Sequence, residues 1–189
     1  KTIVGLEVGT SQVAAAVVTN NGGKRLVKLH RQALPTGVMA GGEVRDPAAL
    51  GIALNDFFTQ YDLPRKNVRL GLANSRVGIR QIDISDIDDE AQLPNAISFR
   101  AHEKLSIPID ESVMDYIIEE STFDDGTVNR SAVVTVAYRE SVDRYLTATS
   151  TAGLEVMGID FEAFALLRAL AVPAEANADP AETAVVAVC

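Results

Sequence analysis

The sequence predicts an α/β protein built on a mixed sheet, and three features of its pattern carry that prediction. Two runs of β-branched and small apolar residues, 2–8 and 12–18, are separated only by Gly9-Thr10-Ser11, so they can pair only through a tight turn. A second break, "NNGG" at 20–23, precedes a third run from Arg25 to Leu34, which completes an antiparallel meander. Asp46-Pro47 then opens a helical period, and "NVRLGLA" at 67–73 returns to a short, mostly apolar strand. Three antiparallel strands, a helix and another strand fit an α/β layer whose sheet is mixed.

Each element has a local reason. Gly9 in the first turn can take a positive φ without a Cβ penalty. "LPTGVMAGGEV" (34–44) reads as irregular. Asp46 as N-cap and Pro47 in the first turn start a helix over roughly 47–60, with Leu50, Leu54, Phe57 and Phe58 on one stripe. Residues 77–84 alternate as a half-exposed strand. "SDIDDEAQL" puts acids ahead of a helix over roughly 88–105, where negative charge suits a helix N-terminus, and Pro94 begins or kinks the helix proper. "SIPIDES" (106–112) stops it. Strands Val113–Ser121 and Ser131–Tyr138 follow, joined by a turn containing "DDGT". A helix from about 140 to 152 closes on Gly153 as a C′ glycine. Leu154–Asp160 is a strand, and Phe161–Val172 is a helix apolar on several sides, which predicts burial. "PAEANADPAE" (173–182) has the composition of a linker. "TAVVAVC" then begins a further buried strand at the end of the chain, which, with Lys1 leading directly into a strand, reads as a piece of a longer protein.

Composition excludes several function classes. A formal net charge of −9 is the wrong sign for phosphate backbones or anionic lipid, so no nucleic-acid partner is expected. It does not bear on small phosphate ligands, which answer to local fields. One cysteine, Cys189, rules out a disulfide framework and fits a reducing cytoplasm. No apolar run approaches 18 residues and no signal-peptide pattern is present, so direct membrane insertion is not expected. His30 and His102 stand apart without partners and read as structural or solvated. The acids Asp83, Asp86, Asp88, Asp89 and Glu90 lack the alternation and glycine of a calcium loop and read as a solvated helix start. No nucleophile elbow or P-loop occurs, and no catalytic residue is assigned.

The opening hairpin is the remaining candidate for chemistry. Successive N–H groups around Gly9, Thr10, Ser11 and Gln12 could form a concave anion site, to which the two hydroxyls add donors. Glu7, two residues before the glycine, could hold Mg²⁺ through water. A plain β-turn explains the same residues.

"GLEVGTSQV" resembles the first phosphate loop of the actin-like ATPase superfamily, which includes actin, sugar kinases and the cell-division protein FtsA. More specifically, "AISFRAHEKLSIPIDESVMDYIIEE" (96–120) and "VAYRESVDRYLTATSTAGLEVMGIDFEAFALLRAL" (136–170) resemble segments of the type IV pilus assembly protein PilM family, as does "LPTGVMAGGEVRDPAAL" (34–50). The likeness covers essentially the whole chain. It implies the first half of an actin-like (ribonuclease H-like) fold: residues 1–82 with 159–172 as the first subdomain, 83–158 as an inserted α/β subdomain of the PilM/FtsA type, 173–182 as a linker, and 183–189 as the first strand of a second half. It further implies a cytoplasmic scaffold, peripheral at the inner membrane, that binds the N-terminal tail of a PilN-like membrane protein and communicates with pilus motor ATPases. The tail would lie in a groove beside sheet edges. In this chain the resemblance points to Leu72, Asn74, Arg76 and Ile79 where the subdomains join, although a core role at the join suits the same residues.

Three departures qualify the implied ATP and Mg²⁺ site. Glu7 stands where actin has Asp, and the longer side chain moves the carboxylate by about one C–C bond, which tight octahedral geometry would register. Ala14 stands five residues after Gly9, where the superfamily often has a phosphate-reaching Lys; its absence removes a cation that phosphoryl transfer would use. Cys189 falls at, or just before, an expected metal-positioning Asp. Weak or structural nucleotide binding is the expectation, with at most weak ATPase activity in a full-length protein. An FtsA-like division protein and a small-molecule kinase of the same superfamily are the alternatives.

Overall fold

The computed structural model describes residues 1–87, 89–105, 107–122 and 128–170. The expected linker, the strand 183–189 with Cys189, and the "DDGT" turn lie outside the described residues. The chain divides into two compact units, one of Lys1–Ala73 with the chain from Leu146 onward, the other Asn74–Tyr145.

The first unit is built on a five-stranded sheet. Strands β1 (Thr2–Val8), β2 (Gln12–Asn20) and β3 (Lys24–Ala33) form the expected antiparallel meander, while β6 (Val68–Leu72) and β10 (Val156–Phe161) join in parallel, giving the order β10-β6-β1-β2-β3. The sheet is therefore mixed, as expected. Along β1, Val4, Leu6 and Val8 are buried; on β2 the same side carries Val13, Ala15 and Val17, and on β6 Val68, Leu70 and Leu72.

Helix α1 (Pro47–Gln60) covers this face. It starts where Asp46 and Pro47 predict, with the Asp46 carboxylate accepting the Ala49 N–H at 2.9 Å. Its stripe Leu50, Leu54, Phe57 and Phe58 is buried, and Tyr61 beyond its end stacks on His30, ring centroids 4.3 Å apart. His30 faces Ala15 in register, which puts α1 over the Val13–Ala15–Val17 side. Between β3 and α1, the stretch expected to be irregular holds a small hairpin, β4 (Met39–Ala40) and β5 (Glu43–Val44). Gly41 and Gly42 both take positive φ in its two-residue loop, the pairing that tight hairpins favour.

Helix α3 (Arg139–Thr151) re-enters the first unit at Leu146 and ends at Gly153, whose φ of 68° is the C′ geometry expected. Its last turns cross α1 closely at Gly51. A Cβ on that glycine would sit 2.7 Å from Thr151 Cβ and 3.0 Å from the Ala148 carbonyl oxygen. Arg65 closes the same corner: its guanidinium donates to the Ala152 carbonyl at the helix end and to the Asn55 and Thr59 side chains at 3.1 and 2.8 Å. Helix α4 (Glu162–Leu170) follows β10, but none of its residues is fully buried, and Leu170 is 60 % exposed. Its apolar breadth thus does not produce the expected burial; among the described residues its main packing partners are β10 and β6.

The second unit has a three-stranded antiparallel sheet, β7 (Val77–Asp83), β9 (Val128–Tyr138) and β8 (Ser112–Thr122), in the order β7-β9-β8. Helix α2 (Leu93–Lys104) packs on one face, burying Leu93, Ile97 and Ala101 against Ile82, Ala132, Val134 and Val136. Pro94 lies in its first turn, where the missing N–H costs nothing. The inserted unit thus spans 74–145 rather than the expected 83–158, because β7 pairs with β9 whereas β10 pairs with β6.

Gly51→Ala is expected to destabilise the chain by about 1–3 kcal/mol despite alanine's better helix propensity, because α1 and α3 would have to separate. Urea denaturation should show the midpoint fall; an unchanged or raised midpoint would disprove the close crossing.

Candidate functional site

The hairpin between β1 and β2 is tight, and Gly9 does not use the left-handed region open to it. Its N–H donates to the Gln12 carbonyl at 2.9 Å. A Cβ at this position would lie 3.3 Å from the Gln12 carbonyl oxygen, a tight approach, and 3.8 Å from Glu7 Oε1, an ordinary contact. Glu7, Gly9 and Gln12 are thereby brought together. Thr10, Ser11 and Gln12 are exposed, and the Ser11 carbonyl accepts the Leu34 N–H at 2.9 Å, which ties the turn to the end of β3. With the Gly9 N–H committed inside the turn, an anion would have to rely on the N–H and hydroxyl groups of Thr10 and Ser11.

Glu7 points to the sheet face opposite α1. Ala14 is its cross-strand neighbour on β2, so a methyl occupies the spot where a cation was expected to be missing. On the same face β6 contributes Gly71, in register with Asp160 of β10. Glu162, the first residue of α4, lies over Gly71, with Cγ 3.0 Å and Oε1 3.3 Å from where a Cβ would be. Its partial burial, and then the negative charge of Glu7, push the Glu162 carboxyl above its ordinary value. Asp160 is instead neutralised by Arg168. Two carboxylates on this sheet face, with the charge of Glu7 felt at Glu162, could hold a hydrated Mg²⁺, a hard cation taking oxygen ligands and retaining water. Sequence reasoning missed Glu162 because only pairing β10 with β6 carries it to Glu7; the signal available was an acid at the junction of strand and helix.

The other candidates are dispersed. Leu72 ends β6 at 2 % exposure, paired with Phe161, and is a core residue of the first unit. Asn74, Arg76 and Ile79 belong to the second. The Asn74 side chain accepts the Arg76 N–H at 2.8 Å and donates to Ser141 Oγ at 3.3 Å. The Arg76 guanidinium lies over the Tyr138 ring, 5.1 Å from its centroid, and the Arg76 carbonyl accepts the Tyr138 N–H at 3.1 Å. Ile79 is half-buried and faces Thr135. Of the acids expected to form a solvated helix start, Asp88 lies outside the described residues; Asp86 pairs with Arg100 at 2.7 Å, which holds its carboxyl below the usual range, and Asp89 accepts the Ala91 N–H at 3.0 Å. Among the described residues no cluster of three or more metal-ligating side chains forms. Nor is any helix among them long and apolar enough to cross a membrane.

Residues 5–189 match the family described as type IV pilus assembly protein PilM. The chain belongs to the PilM family. The fold agrees: a solved chain from a PilM–PilN type IV pilus biogenesis complex is 27 % identical, with a TM-score of 0.74 over 89 % of this chain. The α/β class read from the strand and helix pattern is the PilM class. This chain spans about half of that one (49 %).

The Glu7–Glu162 pair has a pH signature. The folded state keeps a proton on Glu162 above 4.5, its ordinary value, where the unfolded chain has lost it. Stability contributed by that proton is present below 4.5 and is lost as pH rises through the raised value. Glu162→Gln should therefore melt about 1–2 °C above the parent near neutral pH and level with it in acid, the size set by solvent screening of a half-exposed group. Thermal melts across that range check it; a pH-independent difference would refute the pairing.

Proposed function

We propose that this chain forms the cleft-bearing half of a PilM-type scaffold, placed at the inner membrane through a PilN-like membrane protein whose N-terminal tail it binds. The observation that carries the reading is the family match over residues 5–189 together with the structural match to a PilM chain solved with PilN. Scaffold work needs no catalytic constellation, and none was assigned in the sequence. Contact with pilus motor ATPases belongs to the same proposal.

We further infer a weak nucleotide site on the Glu7 side of the hairpin. Thr10 and Ser11 would face phosphate, and Glu7 with Glu162 would hold Mg²⁺, whose chemistry there is to neutralise phosphate charge. Ala14 opposite Glu7 gives no cation for transfer, which favours binding without much turnover.

Tail contacts are assigned to Asn74, Arg76 and Ile79 of the second unit. Leu72 is left out of the test because an acid at a 2 % exposed core position would unfold the chain. Anisotropy with a synthetic PilN-like N-terminal peptide and the full-length protein should show binding, weakened about three- to tenfold by Arg76→Ala. Failure of the peptide to bind at all would overturn the scaffold reading; unchanged affinity in the variant would overturn only the placement. Titration calorimetry with ATP and Mg²⁺ should show weak binding, and tight binding with steady phosphate release would overturn the nucleotide reading.

A further inference from the structure

Each of the two larger sheets has two outer strands, and one from each, β3 and β8, carry opposite charge. In the first unit β3 is an outer strand; among the described residues its backbone groups make no backbone hydrogen bond outside the β2 ladder. In the second unit β8 is an outer strand and is bonded only to β9 in the same sense. Unpaired strand edges of this kind are templates for another strand.

The side chains along the two edges correspond. Strand β3 begins Lys24-Arg25-Leu26-Val27, with both cations exposed and Leu26 and Val27 at 55 % and 52 %. The bulge that drops Val27 from the β2 register accompanies the exposure of two successive apolar side chains. Strand β8 carries Ile117-Ile118-Glu119-Glu120, with the isoleucines 61 % and 39 % exposed and both acids at the surface. Read antiparallel, the stretches oppose Lys24 to Glu120, Arg25 to Glu119, Leu26 to Ile118 and Val27 to Ile117. Two opposite-charge pairs then stand beside two apolar pairs, the combination that stabilises neighbouring strands. Antiparallel pairing of 24–27 with a second 24–27 sets Lys24 against Val27 and Arg25 against Leu26, and pairing of 117–120 with itself sets each isoleucine against a glutamate, so the like pairings lose every matched pair. Arg130 already holds Glu120 at 2.7 Å, so Arg25 with Glu119 is the pair free to decide partner choice.

We propose that the β3 edge of one copy of this chain pairs antiparallel with the β8 edge of a second copy, through residues 24–27 and 117–120. The ladder is short, so the association is weak, concentration-dependent and weakened by salt.

Sedimentation velocity of the full chain over a range of concentration and salt tests it. Self-association is expected, reduced about tenfold by Arg25→Glu and equally by Glu119→Arg, with circular dichroism unchanged. The two substitutions move net charge in opposite directions, so a general charge effect would shift association oppositely in the two variants and would refute the proposal. Mixing the two variants should restore association, since each supplies the edge the other has lost. A parent chain that stays monomeric at every concentration, or a mixture that fails to recover, would also overturn it.

Discussion

A parallel strand cannot be reached from its neighbour by a turn, and that constraint organises this protein. Strands β6 and β10 lie side by side in parallel, so the chain must leave the sheet after Leu72 and return before Val156. The whole of the second unit, Asn74–Tyr145, occupies that crossover, and α3 completes it. The return then places β10 in register with β6, and this alone delivers Asp160 and Glu162 to the face where Glu7 emerges. The candidate cation pair is thus a product of long-range strand pairing, not of a local motif.

That origin explains what was legible in advance. Elements defined by local chemistry were readable: the Asp46-Pro47 helix start, Pro94 in the first turn of α2, the C′ role of Gly153, and the meander set by two short breaks. What depended on a distant partner was not. The edges of the inserted unit moved from 83–158 to 74–145 because β7 is claimed by β9, and the strand alternation of 77–83 does not say which sheet will claim it. Helix α4 has apolar residues on several sides, but burial needs surfaces to pack on, and none of its residues is buried among the described ones. Gly9 shows the same limit in miniature. Its residue type offers a torsional freedom that the folded turn does not use, while a Cβ there would come close to the Gln12 carbonyl.

Of the site itself, the hairpin residues and Glu7 were visible and their partner was not. The Ala14 departure becomes sharper in three dimensions: it stands directly across from Glu7, so the acid has no cross-strand cation, and Glu162 adds a second negative charge nearby. A site of this sign favours a divalent ion over a bare phosphate. For the residues 72–79, sequence proximity suggested one cluster, but Leu72 faces the core while Asn74 and Arg76 are engaged with Ser141 and Tyr138.

The crossover also bears on how the chain reaches its native state. Docking β10 beside β6 requires closing a loop that contains the entire second unit, an entropic cost that grows with the length of disordered chain in between. The second unit has its own core around Ile82, Ile97 and Val134, and its β8–β9 pairing joins strands adjacent in sequence. Once folded, it replaces a long flexible loop by a compact body with two fixed ends. A compact body between Leu72 and Val156 thus leaves less disordered chain to close when β10 meets β6, which lowers the entropic cost of completing the five-stranded sheet.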